Sequence, residues 1–101
     1  MIKAEFHTAS GMINGFVVSG HSGYSGSGSD IVCAAVSSAV LMAANTLTDV
    51  MGVAADAEVN DDGSLSLRLH GESAEAQSVL KGLKLHLEGL AREYPKNIKV
   101  T

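Results

Sequence analysis

The first twenty residues alternate between apolar and polar side chains in the way that a half-buried β-strand requires. Apolar residues at positions 2, 4 and 6 are separated by polar residues at 3, 5 and 7. Ser10-Gly11 is a turn signal, and residues 12–19 form a second apolar segment that includes Ile13, Val17 and Val18. The pattern predicts a hairpin whose second strand ends close to Gly20 and His21.

A long apolar run follows and has the character of a helix. From residue 31 to about residue 50 the chain is apolar almost all round, with small residues at many positions, so we expect a buried helix. Gly52 is placed to end this helix. The run over 31–44 contains Ser37 and Ser38 and is shorter than the roughly 20 residues that span a bilayer, so no membrane segment is expected.

The second half of the chain predicts a hairpin, a helix and a short strand. Residues 55–59 and 65–69 alternate on either side of the turn sequence Asn-Asp-Asp-Gly at 60–63. Apolar residues then keep helical spacing from Ser73, a capping residue, to about Tyr94, and Pro95 ends the helix. Residues 97–101 alternate again. The predicted fold class is α+β, a single domain over residues 1–101 in which a mixed or antiparallel sheet packs with two helices in the order ββαββαβ.

Composition narrows the functional classes. The hydrophobic content of 46% argues against disorder, and a formal net charge of −4 without basic clusters disfavours nucleic-acid binding. One cysteine cannot form an intramolecular disulfide, and the N-terminus has no signal-peptide core, so a cytoplasmic protein is expected.

The chemistry-bearing residues gather between the first hairpin and the long helix. Cys33 follows His21 by twelve residues, and Asp30 stands just before the apolar run as the expected helix N-cap. Cys33 would then be the third residue of the first turn, where the helix N-terminus favours the nucleophilic thiolate. An imidazole can accept the thiol proton and later protonate a leaving amine, while free backbone N–H groups stabilise an oxyanion. These are the components of acyl-transfer catalysis, including peptide hydrolysis.

Each of these residues has a simpler interpretation as well. A cysteine on an apolar helix is more often a small core residue, and Asp30 is a cap, an orienting partner for His21, or both. Ser37, one turn after Cys33 on the same helix face, can bond near the site or back to its own helix. The glycine-rich loop has no Lys and lacks the phosphate-binding pattern. The histidines at 7, 21, 70 and 86 lack metal-ligand spacing, so neither a metal nor a cofactor is expected.

The segment Gly20-His21, a glycine-containing loop, and Asp-Ile-Val-Cys-Ala-Ala-Val-Ser at 30–37 together resemble the ribosomal-processing cysteine protease family Prp. The resemblance extends over the whole chain in length and element order. It implies a homodimeric cysteine endopeptidase that removes a short N-terminal extension from a large-subunit ribosomal protein, of the L-twenty-seven type. The partner would be that N-terminal peptide as substrate, with no nucleic acid and no membrane.

Carried over by residue, the resemblance makes Cys33 the nucleophile and His21 the general base and acid, with Asp30 and Ser37 in supporting positions. The family's substrate loop corresponds to Ser22, Gly23, Tyr24, Ser25, Gly26, Ser27, Gly28 and Ser29. In relatives this loop often carries acidic residues, whereas here it has only Ser, Gly and Tyr. The competing hypothesis is a non-catalytic ribosome-assembly or protein-binding module in which the cysteine is structural. Alkylation of the thiol at neutral pH distinguishes the two, because a buried structural cysteine reacts slowly.

Overall fold

The order of helices and strands is the one that the alternation predicts. The computed structural model describes residues 1–20, 27–61 and 63–101, apart from the side chains of residues 27–30. The elements are β1 (Ile2–Ala9), β2 (Met12–Ser19), α1 (Ser27–Asn45), a π-helical turn (Thr46–Val50), β3 (Ala55–Val59), β4 (Leu65–Leu69), α2 (Ala76–Glu93) and β5 (Ile98–Val100). The predicted α+β class and its ββαββαβ order are confirmed.

All five strands belong to one mixed sheet, in the order β3-β4-β2-β1-β5. The pairs β1–β2, β2–β4 and β3–β4 are antiparallel, whereas β5 runs parallel to β1. The Ile2 N–H donates to the Asn97 carbonyl oxygen at 2.8 Å, and the Thr101 N–H donates to the Ala4 carbonyl oxygen at 2.9 Å. The two ends of the described chain therefore lie side by side at one edge of the sheet.

The first hairpin closes through a two-residue turn. Ser10 and Gly11 have φ angles of 55° and 78°, and positive φ at both central residues is what a type I′ turn requires. The register shifts between His7 and Thr8, where a bulge interrupts the pairing of the two strands. Such a bulge bends the strand and increases its twist.

Both helices pack on the same face of the sheet. From α1 and the turn that follows it, Val32, Val36, Val40 and Leu47 enter the core, and Leu80, Leu83 and Leu87 enter it from α2. The expectation that the first helix is buried all round is wrong. Ile31 and Met42 are 62% and 69% exposed, because a helix lying on a sheet covers only one of its own faces.

The apolar segment of the first helix is longer than the run over residues 31–44 on which the expectation of no membrane segment was based. Ile31–Val50 comprises 20 residues with a mean hydropathy of 1.8, and by length and composition alone it is apolar enough to cross a membrane. Core helices pass the same test, and this helix contributes a regular buried stripe to the core.

The start of α1 differs from the prediction. The helix begins at Ser27, so Asp30 is inside its first turn and is not the N-cap, and residues 27–29 are helical and not part of the loop. Serine and glycine have low helix propensity, which is why the sequence pattern placed the boundary later. The remaining loop residues, 21–26, lie outside the described residues.

The C-terminal ends of both helices agree with their sequence signals, whereas α2 begins later than predicted. Gly52, with a φ of 69°, follows the π-helical turn and ends the first helix. The Ser73 hydroxyl accepts a hydrogen bond from the Ala76 N–H at 3.2 Å, but α2 begins only at Ala76, so its N-cap is Glu75, which makes no side-chain capping bond, and not Ser73. α2 ends at Glu93, two residues before Pro95.

Candidate active site

Cys33 lies in a cleft between α1 and one end of the sheet. The cleft has a volume of about 250 Å³. Its walls come from the start of β1, the end of β2, the start of β4 with the turn before it, and one side of α1. The lining residues are Ile2, Val18, Ser19, Gly20, Cys33, Val36, Ser37, Val40, Gly63 and Leu65. Most of these are apolar, and the polar groups among them are two serine hydroxyls and the thiol.

Cys33 is neither fully buried nor fully exposed. It is a free thiol of intermediate burial that packs against the hydrophobic core on one side and lines the cleft on the other. This arrangement departs from the simplest alternative, a cysteine enclosed in the core. Cys33 therefore belongs to the lining of a surface cleft.

Ser37 shares this cleft with Cys33, as the helical spacing of four residues predicts. Ser37 is exposed, so the cleft presents one hydroxyl and one thiol a single helical turn apart. The neighbouring Ser38 lines a different groove, between α1 and α2.

The early start of α1 changes the expected electrostatics of Cys33. The residue lies in the second turn of the helix and not in the first. The helix dipole acts mainly within the terminal turn, and the N–H groups without intrahelical partners belong to the first four residues. The helix N-terminus is therefore a weaker source of thiolate stabilisation than the sequence suggested, and Cys33's own N–H is not one of the free donors.

The proposed partners of Cys33 are only in part within the described residues. His21 and residues 22–26 lie outside them, and the side chain of Asp30 does also. Gly20, the residue directly before His21, is described and lines the Cys33 cleft. The structure therefore brings Cys33, Ser37 and Gly20 together, while the roles of His21 and Asp30 stay predictions.

Gly20 adopts a backbone conformation that other residues rarely take. Its φ is +86°, and a Cβ built on it would overlap the carbonyl oxygen of Met1. Gly63, across the cleft, has the same φ, but a Cβ there meets nothing within 4 Å. The positive φ favours glycine at both positions, and at Gly20 the absence of a side chain also allows close contact of two backbones.

Sequence reasoning missed several residues that line the cleft. Ile2, Gly63 and Leu65 are about thirty residues from Cys33 along the chain and reach it only through the sheet. The turn at 60–63 was visible in the sequence, but strand order decides which loop adjoins the helix. No local pattern contains that information.

A second cluster of charged residues lies on the exposed side of β3 and β4. His70 Nε2 is 2.9 Å from Asp56 Oδ1, and Arg68 Nη2 is 3.6 Å from Asp56 Oδ2. The hydrogen bond from His70 and then its charge lower the pKa of Asp56 below the ordinary 3.8, and Arg68 adds to this. Within the described parts of the chain, no group of three or more His, Cys, Asp or Glu residues is arranged to hold a metal ion.

Comparison with known proteins decides the family. Residues 1–99 match the family described as cysteine protease Prp. The chain belongs to the Prp family. It is 30% identical over 92 residues to the ribosomal processing cysteine protease Prp of Bacillus subtilis (strain 168), covering 85% of this chain and 82% of that protein. The resemblance inferred from residues 20–37 is thereby confirmed.

Solved structures of relatives have the same fold. The essential ribosomal processing protease Prp from S. aureus, in complex with a covalently linked product peptide, superposes with a TM-score of 0.89 at 25% identity, covering 100% of this chain and 98% of that one. SMU.848 from Streptococcus mutans gives a TM-score of 0.83 at 26% identity, covering 100% and 92%. These likenesses show that the fold of this chain is that of the solved Prp structure.

Proposed function

We propose that this protein is a cysteine endopeptidase that removes the N-terminal extension of a large-subunit ribosomal protein, of the L-twenty-seven type. The observation that carries the proposal is the position of Cys33, half-buried on the wall of an open cleft in a chain of the Prp family. The named activity of the Bacillus subtilis relative supports a ribosomal substrate. The product peptide linked covalently to the S. aureus relative supports chemistry through an enzyme-bound intermediate.

The proposed reaction uses Cys33 as nucleophile and His21 as general base and acid. The Sγ thiolate attacks the carbonyl carbon of the scissile bond, and the carbonyl oxygen becomes an oxyanion. As this intermediate collapses, the C–N bond breaks, the protonated imidazole gives its proton to the leaving amine, and a thioester remains. Water then attacks the thioester with His21 taking its proton, which releases the carboxylate product and restores the thiol.

Other residues are proposed to support this pair. Asp30 would orient His21 through its carboxylate, a role that is independent of helix capping. Ser37 would offer its hydroxyl to the substrate or the oxyanion from the same wall of the cleft as the thiol. Residues 22–29 would contact the substrate peptide. No metal or cofactor is needed, because a thiol and an imidazole complete every proton and acyl transfer.

The setting proposed for the enzyme is a homodimer in the cytoplasm, with residues 1–101 as one domain. A partner copy is supported by apolar side chains on the helical layer, where Met42 and Leu85 are 69% and 66% exposed. Sedimentation velocity tests the dimer directly, and a species with the mass of one chain across the accessible concentrations would contradict it.

The competing function is a binding module for a ribosome-assembly partner, with Cys33 as a structural residue. The intermediate burial of Cys33 argues against it, since a structural cysteine is usually enclosed. Under this hypothesis iodoacetamide would modify the folded protein no faster than it modifies a simple thiol.

The decisive experiment is cleavage of a peptide spanning the N-terminal extension of the ribosomal protein from the same organism, followed by mass spectrometry. We expect the wild type to cleave at one bond, and Cys33→Ala and His21→Ala to be inactive while remaining folded. Ser37→Ala is expected to be slower, whereas Ser38→Ala, its exposed neighbour outside the cleft, is the matched control and keeps full activity. Cleavage by Cys33→Ala would exclude the proposed mechanism. Absence of cleavage by the wild type, with an unreactive thiol, would favour the binding module.

A further inference from the structure

Strand β3 is one edge of the sheet, and its outer backbone groups have no partner among the described residues. The strand pairs with β4 over its whole length without a shift in register, and beyond one end of it the His70 N–H donates to the Ala54 carbonyl oxygen at 3.0 Å. Because hydrogen-bonded and non-hydrogen-bonded pairs alternate in an antiparallel ladder, the even-numbered residues of β3 bond to β4. The N–H and C=O groups of Ala55, Ala57 and Val59 therefore point away from the sheet.

This edge lacks the features that usually prevent strand pairing. Proteins protect exposed edges with lysine, proline, bulges or very short strands. At the opposite edge of the sheet, β5 has only three residues and includes Lys99. β3 has five residues, contains neither Lys nor Pro, keeps a regular register and has no buried residue. An extended chain can therefore add to β3 as a further strand.

The side chains of β3 give its two faces different character. Val59 pairs with Leu65, which packs against the core, so both lie on the face that carries the helices. Asp56 and Glu58 alternate with Val59 and lie on the open face. Asp56 already has ion-pair partners on this face, whereas Glu58 has no ion pair within the described parts of the chain. A complementary strand would place a basic side chain opposite Glu58 and a small or apolar one opposite Val59.

A second copy of this chain is a poor partner for the edge. The outward backbone groups belong to odd-numbered residues, so a two-fold antiparallel pair of β3 strands forms only in registers that match odd with odd residues. Each such register that pairs more than half of the strand sets Asp56 opposite Glu58, or one of them opposite its own copy. Like charges in direct opposition destabilise a sheet. The same carboxylates favour a partner strand that carries Lys or Arg at alternate positions.

The end of β3 lies beside the Cys33 cleft, because Val59 is paired with Leu65 and Leu65 lines that cleft. We propose that the outer edge of β3 binds an extended basic segment of the protein substrate as an added strand, outside the cleft. The inference rests on the proposed function, since a ribosomal protein neutralises RNA phosphates with Lys and Arg and therefore contains basic segments.

The direction of β3 identifies the side of the scissile bond on which this segment lies. The strand runs from Ala55 to Val59, toward the cleft. A substrate chain that leaves the cleft toward its own C-terminus would pass along β3 in the opposite direction. That pairing is antiparallel, which is more stable per residue than a parallel one and continues the antiparallel order of β3, β4 and β2. The edge therefore fits the segment after the cleaved bond, and not the extension that is removed.

Binding to the Cys33→Ala variant tests this site without cleavage. The long probe peptide continues past the scissile bond through the first basic segment of the ribosomal protein, and the short one ends just past the bond. Ala57→Pro removes an outward N–H that the β4 ladder does not use, and Glu58→Lys reverses the charge of the unpaired carboxylate. Each should weaken binding of the long peptide about tenfold and leave binding of the short peptide within about twofold.

Each control variant keeps the property that its counterpart removes. Ala57→Val retains the outward N–H, and Glu5→Lys makes the same charge change at an exposed position of the open face, on β1. Both should bind the long peptide within about twofold of the Cys33→Ala parent. In hydrogen exchange followed by NMR, the long peptide should slow exchange of the Ala55, Ala57 and Val59 N–H groups by about tenfold or more.

Three results would each overturn the inference: equal losses for the long and short peptides, a loss in Glu5→Lys as large as in Glu58→Lys, or unchanged exchange of the outward N–H groups. Cleavage of the long peptide by the wild type, with the same KM in the Ala57→Pro and Glu58→Lys enzymes, would overturn the β3 site alone. Absence of cleavage by the wild type would instead overturn the proposed function.

Discussion

Gln77 joins α2 to the strand that leads toward the cleft. Its carboxamide accepts a hydrogen bond from the Ile13 N–H at 2.8 Å and donates to the Ile13 carbonyl oxygen at 2.9 Å. Neighbouring strand β4 pairs with β2 only from Gly15 to Val18, so Ile13 lies beyond that ladder. The side chain of one helical residue therefore supplies the two hydrogen bonds that another strand would have made.

Replacing Gln77 with Leu should destabilise the fold more than its partial exposure suggests. Both backbone groups of Ile13 would lose their partners, at a cost of about 1–3 kcal/mol of unfolding free energy. Urea denaturation measures the loss. Ser78→Ala, at an exposed position beside it, should change stability by less than about 0.5 kcal/mol. Equal stability of the two variants would show that water replaces the amide at no cost.

The interactions of Asp56 make the stability of the fold depend on pH in the acidic range. The hydrogen bond and charge of His70 lower the pKa of this carboxyl in the folded protein. A lowered folded-state pKa means that the stabilisation is present above the unfolded-state value, near 3.8, and is lost as the pH falls through the lower folded-state value. Thermal melts of wild type and Asp56→Asn should therefore differ most above about pH 4 and converge toward about pH 2. A difference that grows on acidification would contradict this sign.

At the scale of single elements, the turn at Ser10-Gly11 does not have the residue pair that is most stable in its turn type. Ser10 has a φ of 55°, in the left-handed region that Asn tolerates better than Ser, and Asn-Gly is the preferred pair for this turn type. Ser10→Asn should therefore stabilise the hairpin, by about 0.5 kcal/mol on the scale of turn and glycine substitutions. A higher urea midpoint at unchanged slope would confirm it. A lower midpoint would mean that the hydroxyl of Ser10 has a role of its own.

Much of the element order followed from local patterns, but the boundaries that depend on packing did not. The alternation of residues 2–7 and of 65–69 predicted strands because one face of the sheet is covered and the other faces solvent, whereas β3 alternates in sequence although none of its residues is buried. The start of α1 at Ser27 and the π-helical turn at Thr46–Val50 were missed. In that turn the Thr46 and Thr48 hydroxyls bond to carbonyl oxygens four residues earlier, an alternative that helix periodicity does not reveal.

In the candidate site, one wall of the cleft could be predicted from the sequence and the opposite wall could not. The helical spacing of Cys33 and Ser37 placed both on one wall of the cleft, because residues four apart share a helix face. The opposite wall, with Ile2, Gly63 and Leu65, depends on β4 lying next to β2, which is a property of the sheet and not of any segment.

At the scale of the whole molecule, the described residues share one core. Residues from both helices and from strands β1, β2, β4 and β5 form a single buried cluster on one face of the sheet. Helix α2 reaches this cluster through Leu80, Leu83 and Leu87, while Leu85 between them is 66% exposed. The cleft around Cys33 is built on the same core, since Val36 and Val40 belong both to its lining and to the cluster.

Because the core is shared, a destabilising substitution in α2 should lower the stability of the sheet as well. Leu87 is fully buried, and Leu87→Ala should lower the free energy of unfolding by about 2–5 kcal/mol because the cavity does not refill. Lys81→Ala, at an exposed position of the same helix, is the control and should cost less than about 0.5 kcal/mol. If the fold unfolds as one cooperative unit, amide exchange in β1 and β2 should accelerate in Leu87→Ala by the same free energy that denaturation measures. Fast exchange confined to α2, with β1 and β2 still protected, would instead show that the helix opens independently of the sheet that carries the cleft.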